Sequence, residues 1–206
     1  MYKVYGDMLS GNCYKIKLLL EFLNIQHEWI HLDILAGETQ TPEFKRMNAN
    51  GKIPLLEIPA VNESDNSEYL SESNAILNYL ATGTPYLPDS KLDRSRVLEW
   101  QFFEQYSHEP YIAVARYIKK YLGLPEDRKA EYESKQAGGH KALKIMDEHL
   151  SGHDFFVGDA LTIADLSLFA YTQVAHEGGF DLSSYPHIQS WVQRIQALPK
   201  FIAMAR

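Results

Sequence analysis

Residues 50–56 read Asn50-Gly-Lys-Ile-Pro-Leu-Leu56, and the architecture can be worked out from this stretch. Its apolar residues are typical of a strand, but Pro54 has no backbone N–H to donate to a sheet ladder. We therefore predict a strand over residues 54–58 that lies at a sheet edge or begins at the proline. A cis Ile53-Pro54 bond would let the Ile53 backbone pair with an extended ligand, whereas a trans proline would open an ordinary strand.

The chain before this proline predicts a β-α-β unit. Residues 2–5 alternate as a strand, residues 13–24 carry apolar side chains at helical spacing, and residues 28–32 form a second strand. A short helical crossover of this kind joins two parallel strands in the right-handed sense. After the proline-led strand, the sequence predicts a hairpin turn at residues 62–67, a short strand at 68–70 and a helix at 73–80.

The second half of the chain predicts helices. Residues 81–92 contain glycine and proline with little periodicity, so we interpret them as a linker between a domain at 1–80 and an all-helical domain at 93–206. A long helix over residues 94–122 is expected to be interrupted at Pro110, because proline removes a backbone hydrogen bond.

A second helix start in this half has a clear sequence signature. Thr162 and Asp165 stand three residues apart, as an N-cap residue and its acidic partner do in a capping box. Leu161 and Leu166 occupy the positions of a hydrophobic staple. We therefore expect a helix to begin at Thr162.

Composition excludes several classes of function. The formal charge of -7 gives no reason to expect a nucleic-acid partner, which requires a basic face. The single cysteine, Cys13, excludes an internal disulfide and a cysteine-based zinc cluster, and it fits a cytoplasmic location. The eight histidines are scattered, so no metal is expected. No run approaches the roughly 20 apolar residues of a membrane span, and the strand-like start argues against a signal peptide.

Five motifs follow one another along the chain: Ser10-Gly-Asn-Cys13, Gly37-Glu-Thr-Gln-Thr-Pro-Glu-Phe44, Asn50-Gly-Lys-Ile-Pro54, Glu72-Ser-Asn-Ala-Ile76 and Leu161-Thr-Ile-Ala-Asp-Leu166. Through these motifs the chain resembles the soluble glutathione transferases over essentially its whole length. It is most similar to the serine-dependent theta and phi classes and their bacterial relatives. The resemblance implies an α/β plus all-α fold, with a thioredoxin-like N-terminal domain (β-α-β, β-β-α) and a C-terminal helical bundle.

The resemblance also implies a catalytic role for Ser10, whose hydroxyl would stabilise the glutathione thiolate. A free thiol with a pKa of about 8.5 needs about 2.7 kcal/mol of preferential thiolate stabilisation to lose about 2 units of pKa. One charge-assisted hydrogen bond and the positive end of a helix together supply energy of that order. The alternative is that Ser10 only caps the helix.

Two neighbours of Ser10 are further candidates. Asn12 has an amide that could donate to the sulfur. Cys13 would occupy the second position of a Cys-x-x-Cys motif, and it keeps open a thiol transfer through a mixed disulfide, although buried packing is the commoner role of such a residue. Tyr5 offers a phenol of the type used by tyrosine-dependent classes, but its place inside a strand favours core packing.

The resemblance implies that six residues bind the rest of glutathione. The Ile53 backbone, before a cis Pro54, would pair with the cysteinyl unit. Glu72 could pair with the γ-glutamyl ammonium, and Ser73 begins a helix suited to the carboxylate. The remaining two, Lys52 and Gln40, would lie toward the glycyl end. Relatives often carry histidine or lysine near position 40, so a neutral Gln40 is expected to hold the glycyl carboxylate weakly.

The helical half would supply the electrophile pocket. Phe103, Tyr106 and Tyr111 lie near the expected interruption at Pro110, where a kinked helix opens a cleft. An aromatic stripe at helical spacing is otherwise typical of a core.

These observations predict a homodimeric glutathione transferase that conjugates glutathione to small hydrophobic electrophiles. Glutathione is the co-substrate, and no metal, nucleic acid or membrane is expected to take part. Three alternatives remain open on the same site: glutathione-dependent peroxide reduction, thiol transfer and isomerisation. A fourth is a non-catalytic protein that binds glutathione and acts in stress regulation.

Overall fold

The computed structural model describes residues 1–60 and 66–205. They form two compact units: one contains Met1–Thr82 together with the residues from Pro199 onward, and the other contains Gly83–Leu198. The hairpin turn predicted at residues 62–67 falls mostly outside the described residues.

The first unit is built on a mixed sheet of four strands in the order β2-β1-β3-β4. β1 and β2 are parallel, as the predicted β-α-β unit requires, and β3 is antiparallel to both β1 and β4. The strands are β1 Tyr2–Gly6, β2 His27–His31, β3 Leu55–Ile58 and β4 Glu68–Ser71.

The proline of the opening motif precedes an interior strand. β3 begins at Leu55, the residue after Pro54, and it pairs with β1 on one side and β4 on the other. Of the two places expected for this strand, the one that begins at the proline is therefore correct and the sheet edge is wrong. The Ile53-Pro54 peptide bond is cis.

The described residues of the first unit also form the α-helices α1 Gly11–Leu23, α2 Pro42–Met47 and α3 Ser73–Ala81 and a 3-10 helix at Glu38–Gln40. Most residues of α1 are buried, and the helix packs against α3. The short helix α2 lies in a segment to which sequence analysis assigned no element. Its start is marked by Thr41, whose hydroxyl accepts from the Phe44 N–H at 3.2 Å, and by Pro42 in the first turn.

The second unit is helical. It contains α4 Lys91–Phe103, α5 Glu109–Arg116, α6 Lys129–Leu150, α7 Ile163–Thr172 and α8 Pro186–Gln196. The interruption expected near Pro110 is a π-helical turn at Glu104–His108, in which the Glu109 N–H donates to the Glu104 carbonyl. Pro110 then lies in the first turn of α5, where a missing N–H costs little.

The capping box predicted for α7 is confirmed. The Thr162 hydroxyl accepts from the Ala164 N–H, and the Thr162 N–H donates to the Asp165 carboxylate at 2.9 Å. That carboxylate also accepts from Phe156 N–H and from Trp191 Nε1, each at 3.0 Å. Asp165 therefore joins the α7 start to the preceding loop and to α8.

Candidate active site

The register of the sheet gathers three segments of the chain at one end of the first unit. Tyr5 of β1 lies opposite Leu55 of β3, and Leu55 lies opposite Ser71 of β4. The end of β1, the start of β3 and the end of β4 are consequently side by side. Each leads directly to a predicted site motif, at residues 10–13, 53–54 and 72–73.

Ser10 is the N-cap of α1, with extended backbone angles of φ -75° and ψ 125°. Its hydroxyl oxygen accepts from the Cys13 N–H at 3.4 Å, and its side chain is partly exposed. The bond uses a lone pair of the oxygen, and the hydroxyl hydrogen is a separate donor. Capping the helix and donating to a sulfur anion are thus compatible roles for the same side chain.

Asn12, in the first turn of α1, is tied to the start of α3. The Ser73 hydroxyl donates to Asn12 Oδ1 at 3.2 Å. Lys15 Nζ donates to the same oxygen at 2.7 Å and lies 3.4 Å from Ser73 Oγ. These bonds hold the two helix starts together across about sixty residues of sequence.

Sequence analysis did not single out Lys15. Its side chain is fully buried, with 0% of its surface exposed. The signal was available, because Lys15 stands three, four and seven residues before Leu18, Leu19 and Phe22, which are all buried on α1. A lysine on the apolar face of a helix requires hydrogen-bond partners.

Glu72 has an unusual backbone for a residue with a side chain. Its φ of 68° and ψ of 115° are rarely adopted by L residues, and such positions cost about 1–3 kcal/mol and cluster at functional sites. It is the N-cap residue of α3, and within the described residues its side chain makes no capping hydrogen bond. The N-cap position of α3 is thus taken by Glu72, and neither Ser71 nor Ser73 occupies it.

Gln40 and Lys52 lie close together along a second loop. Gln40 Nε2 donates to the Gly51 carbonyl at 3.0 Å, one residue before Lys52. Asn48 Nδ2 donates to the Lys52 carbonyl at 2.7 Å. Gly51 has a φ of 62°, which residues with a side chain rarely adopt. A Cβ at this position would also lie only 2.8 Å from Gln40 Nε2, so both the backbone angle and the available space favour glycine. Both Gln40 and Lys52 are exposed.

The remaining polar candidates near this edge are occupied or buried. Cys13 is 0% exposed, and burial raises the pKa of its thiol to about 12. The Tyr5 hydroxyl donates to Glu57 Oε2 at 2.7 Å, and burial raises the pKa of Tyr5 above its usual value. Neither group is placed to ionise near neutral pH.

The three aromatic residues predicted for the electrophile pocket have different surroundings in the second unit. Phe103 packs edge-on against Trp100, with ring centroids 5.2 Å apart, and lines a cavity of about 660 Å³. The Tyr111 ring lies over Gly138 of α6, where a Cβ would collide with it. Tyr106 is 74% exposed and lies in the π-helical turn.

Residues 1–60 and 66–205 contain no group of three or more His, Cys, Asp or Glu side chains arranged to hold a metal ion. Within these ranges, none of the helices combines the length and apolar character needed to cross a bilayer.

Comparison with known proteins identifies the fold family. The model of the glutathione S-transferase N-terminal domain matches residues 1–82, and that of the C-terminal domain matches residues 100–199. The crystal structure of a glutathione S-transferase from Pseudomonas fluorescens is 55% identical, covers 100% of this chain and 99% of its own, and superposes with a TM-score of 0.94. This chain belongs to the glutathione S-transferase family. The expected thioredoxin-like domain and helical domain are thereby confirmed.

Two more distant relatives are named for different roles, one as a glutathione transferase and the other as a transcriptional regulator. The glutathione transferase URE2P6 of Phanerochaete chrysosporium, solved with oxidized glutathione, is 25% identical over 97% of this chain and 92% of its own, with a TM-score of 0.84. The transcriptional regulator URE2 of Saccharomyces cerevisiae is 27% identical, and the match covers 100% of this chain and 68% of that protein. This chain spans 59–69% of the length of the URE2 proteins that it matches.

Proposed function

We propose that this chain is a cytoplasmic, serine-dependent glutathione transferase that binds glutathione across the end of its sheet and conjugates it to small hydrophobic electrophiles. The observation that carries the proposal is the sheet register, which brings the motifs at residues 10–13, 53–54 and 72–73 together. Family membership supports the reaction class. A relative solved with oxidized glutathione supports the ligand.

Glutathione would lie extended along this edge. Glu72 offers a carboxylate to the γ-glutamyl ammonium, and the start of α3 at Ser73 offers N–H groups to the adjacent carboxylate. The Ile53 backbone, beside the cis Pro54, would pair with the cysteinyl unit. The glycyl carboxylate would then meet Lys52 and Gln40, which are exposed and neighbouring.

The thiolate would receive two hydrogen bonds at the α1 start. Ser10 would donate its hydroxyl hydrogen to the sulfur while its oxygen caps the helix. Asn12 holds its carbonyl oxygen toward Lys15 and Ser73, so its amide hydrogens are the groups that can serve a ligand. The positive end of the helix adds to both. The enzyme would act by activating and positioning the nucleophile, with no covalent enzyme intermediate.

The electrophile would contact aromatic side chains of the second unit. Tyr106 supports this assignment, since a tyrosine with 74% of its surface exposed on a π-helical turn offers both a ring face and a hydroxyl. Phe103 and Tyr111 make closer packing contacts of their own, and we retain them as candidates for the same pocket.

The central experiment removes the Ser10 hydroxyl. In Ser10→Ala we expect the pKa of bound glutathione to rise by about 2 units and kcat/KM at pH 6.5 to fall by about 100-fold. The pKa is measured from thiolate absorbance, and the rate with a general aryl halide electrophile. Asn12→Ala is expected to give a smaller change in the same direction.

The chain provides a matched control for this variant. Ser90 caps α4 through a hydroxyl that accepts from the Asp93 N–H at 3.4 Å, the same distance as at Ser10. Ser90→Ala should therefore cost a similar amount of stability and leave the bound thiol pKa unchanged. Equal thiol pKa values in wild type and Ser10→Ala would refute the assignment of Ser10.

Thiol transfer is the alternative that depends on Cys13. Full burial and a thiol pKa of about 12 disfavour attack on a disulfide, which requires an accessible thiolate. Incubation of the protein with oxidised glutathione, followed by mass spectrometry, should show no adduct. A stable adduct on Cys13 would favour thiol exchange.

A non-catalytic role is the second alternative, and similarity to the URE2 regulator is the observation that favours it. Calorimetry with glutathione and a turnover assay separate the two roles. A transferase requires both binding and turnover, whereas a regulator that retains only the fold shows no conjugation with any class of electrophile.

A homodimer is the assembly we propose. Leu98 and Phe102 stand four residues apart on α4 and are 44% and 60% exposed, so they form an apolar stripe suited to a second copy of the chain. Light scattering of wild type and Phe102→Glu tests this. The variant should shift toward the monomer, and a monomeric wild type would contradict the proposal.

A further inference from the structure

Lys15 occupies an unusual position for a lysine. It lies in the second turn of α1 and is fully buried, and its ammonium group reaches back toward the helix start. There Nζ is 2.7 Å from Asn12 Oδ1 and 3.4 Å from Ser73 Oγ. Asn12 and Ser73 belong to the two ends of the proposed glutathione site: the sulfur end at α1 and the γ-glutamyl end at α3.

The ammonium group determines which way the Asn12 amide faces. An ammonium has three donors and no acceptor, so only the carbonyl oxygen of Asn12 can lie against it. The nitrogen Nδ2 must then occupy the other end of the amide. Loss of this charge would remove the shorter of the two hydrogen bonds described for Asn12 Oδ1.

The Ser73 hydroxyl adds a second link. In the structure it donates to Asn12 Oδ1 at 3.2 Å. A carboxylate bound at the start of α3 is a stronger acceptor than an amide oxygen and competes for that hydrogen. When the hydroxyl turns to the carboxylate, the bond from Lys15 still holds Asn12. Lys15 therefore contacts the groups that serve both ends of the ligand.

We propose that Lys15 is a positioning residue, which fixes the Asn12 amide for thiolate stabilisation and couples the sulfur end of the site to the γ-glutamyl end. This inference rests on the proposed function. It adds a residue that acts through Asn12 and touches neither glutathione nor the electrophile.

Substitution of Lys15 tests the proposal through the chemistry of the bound thiol. In Lys15→Met the pKa of bound glutathione should rise by about 1 unit, which is about a tenfold loss of thiolate below that pKa. We expect kcat at pH 6.5 to fall by a similar factor and KM for glutathione to change less than about threefold. Lys15→Arg keeps a charged donor and should recover part of the loss.

Two further variants test whether the change in the thiol pKa results from a general loss of structure. Lys17→Met changes the next lysine of the same helix, which pairs with Glu21 at 3.0 Å, and it should leave the thiol pKa unchanged. Lys15→Gln keeps a polar group in the buried position but is too short to reach Asn12 in the same way, so it should raise the thiol pKa as Lys15→Met does. Thermal unfolding and near-ultraviolet circular dichroism confirm that each variant is folded.

A double-mutant cycle separates positioning from a general structural role. If Lys15 acts through Asn12, then Lys15→Met has less than about a twofold further effect on kcat once Asn12→Ala is present. Multiplication of the two single effects would overturn the proposal, and so would a thiol pKa that is unchanged in both Lys15→Met and Lys15→Gln. If wild type fails to bind glutathione in calorimetry, the proposed function falls and this inference falls with it. If wild type binds and the cycle is multiplicative, only the role of Lys15 is lost.

Discussion

The first turns of α7 and α1 differ in how side chains bond to the backbone N–H groups that a helix leaves unpaired at its start. At α7, one buried carboxylate, Asp165, accepts from two backbone N–H groups, the Thr162 hydroxyl and Trp191 Nε1. At α1, the only side-chain cap bond recorded for the described residues is the 3.4 Å contact from Cys13 N–H to Ser10. The carboxylate at the α7 start satisfies donors of the protein itself. The Ser10 side chain at the α1 start is partly exposed, so a bound group could meet its hydroxyl and the positive end of the helix.

The difference separates a helix start that stabilises the fold from one that can receive a ligand. Burial raises the pKa of Asp165 to about 6, because the carboxylate is completely enclosed and its four donors only partly compensate for lost solvation. Ser10 is neutral, partly exposed and weakly engaged. The start of α3 resembles that of α1, because its N-cap Glu72 makes no side-chain capping bond within the described chain. The two open helix starts are the ones that the sheet register brings together.

The largest expected effect is a loss of stability when the start of α7 is altered. Asp165→Ala leaves buried donors of Phe156, Thr162 and Trp191 without an acceptor, and we expect the free energy of unfolding to fall by about 3–5 kcal/mol. Ser10→Ala should lower it by only about 1 kcal/mol. Urea denaturation of both variants checks this. A loss at Ser10 as large as that at Asp165 would remove the distinction between the two helix starts.

The next largest effect is expected for substitution of Glu72 at the start of α3. Glu72→Gly removes a carboxylate and relaxes a backbone with φ at 68°, so we expect the free energy of unfolding to rise by about 1 kcal/mol. Glutathione affinity should fall by about tenfold or more, since the ammonium loses its partner. Glu72→Gln serves as the control, because it keeps the strained backbone and removes only the charge. Calorimetry and denaturation measure the two quantities, and unchanged affinity in both variants would exclude Glu72 from the site.

A smaller effect concerns the glycyl end. Gln40→Lys places a positive charge beside Lys52 at the exposed loop, and it should lower KM for glutathione by about two- to fivefold. The gain should shrink in 0.5 M salt, since exposed charges are screened. Steady-state kinetics at two salt concentrations test this, with Lys45→Gln on the exposed side of α2 as a control for a change in net charge. No response to salt would mean that the added charge is remote from the carboxylate.

The smallest effect is a pH dependence in the loop that Asp165 anchors. His149 Nε2 lies 3.1 Å from the Phe156 carbonyl, and burial together with nearby His153 lowers the pKa of His149. Because the folded pKa lies below the ordinary value of about 6.5, the unfolded chain binds more protons, and stability is lost as pH falls through and below that value.

His149→Phe isolates this contribution. The variant keeps a ring beside Phe156 but cannot titrate, so the stability difference from wild type should shrink as pH is lowered from 7.5 to 5.5. Asp165 contributes with the opposite sign, because its raised pKa favours the folded state as pH falls through about 6, and the difference between the two proteins cancels that term. A difference that is constant over this range would show that His149 does not titrate there.

Much of the architecture could be predicted from local sequence patterns. The alternation of residues 2–5, the helical spacing in α1 and the Thr162–Asp165 spacing each act over a few residues, so they could be read without a structure. The same reasoning overlooked α2, whose Thr41-Pro42 start stands in a polar segment with few apolar residues to show a period. It also could not distinguish a simple proline kink from the π-helical turn at Glu104–His108, which depends on packing.

The order of the elements, the proline before β3 and the motifs that indicate a glutathione site could be read from the chain, because they depend on neighbours within about four residues. Three features required the three-dimensional fold: β3 is an interior strand, Asn12 and Ser73 are bonded across 61 positions, and buried Lys15 contacts them both. Such contacts depend on strand register and helix packing, which are set by the burial of the whole unit. That is why the open helix starts at α1 and α3 can be recognised as one site only in three dimensions.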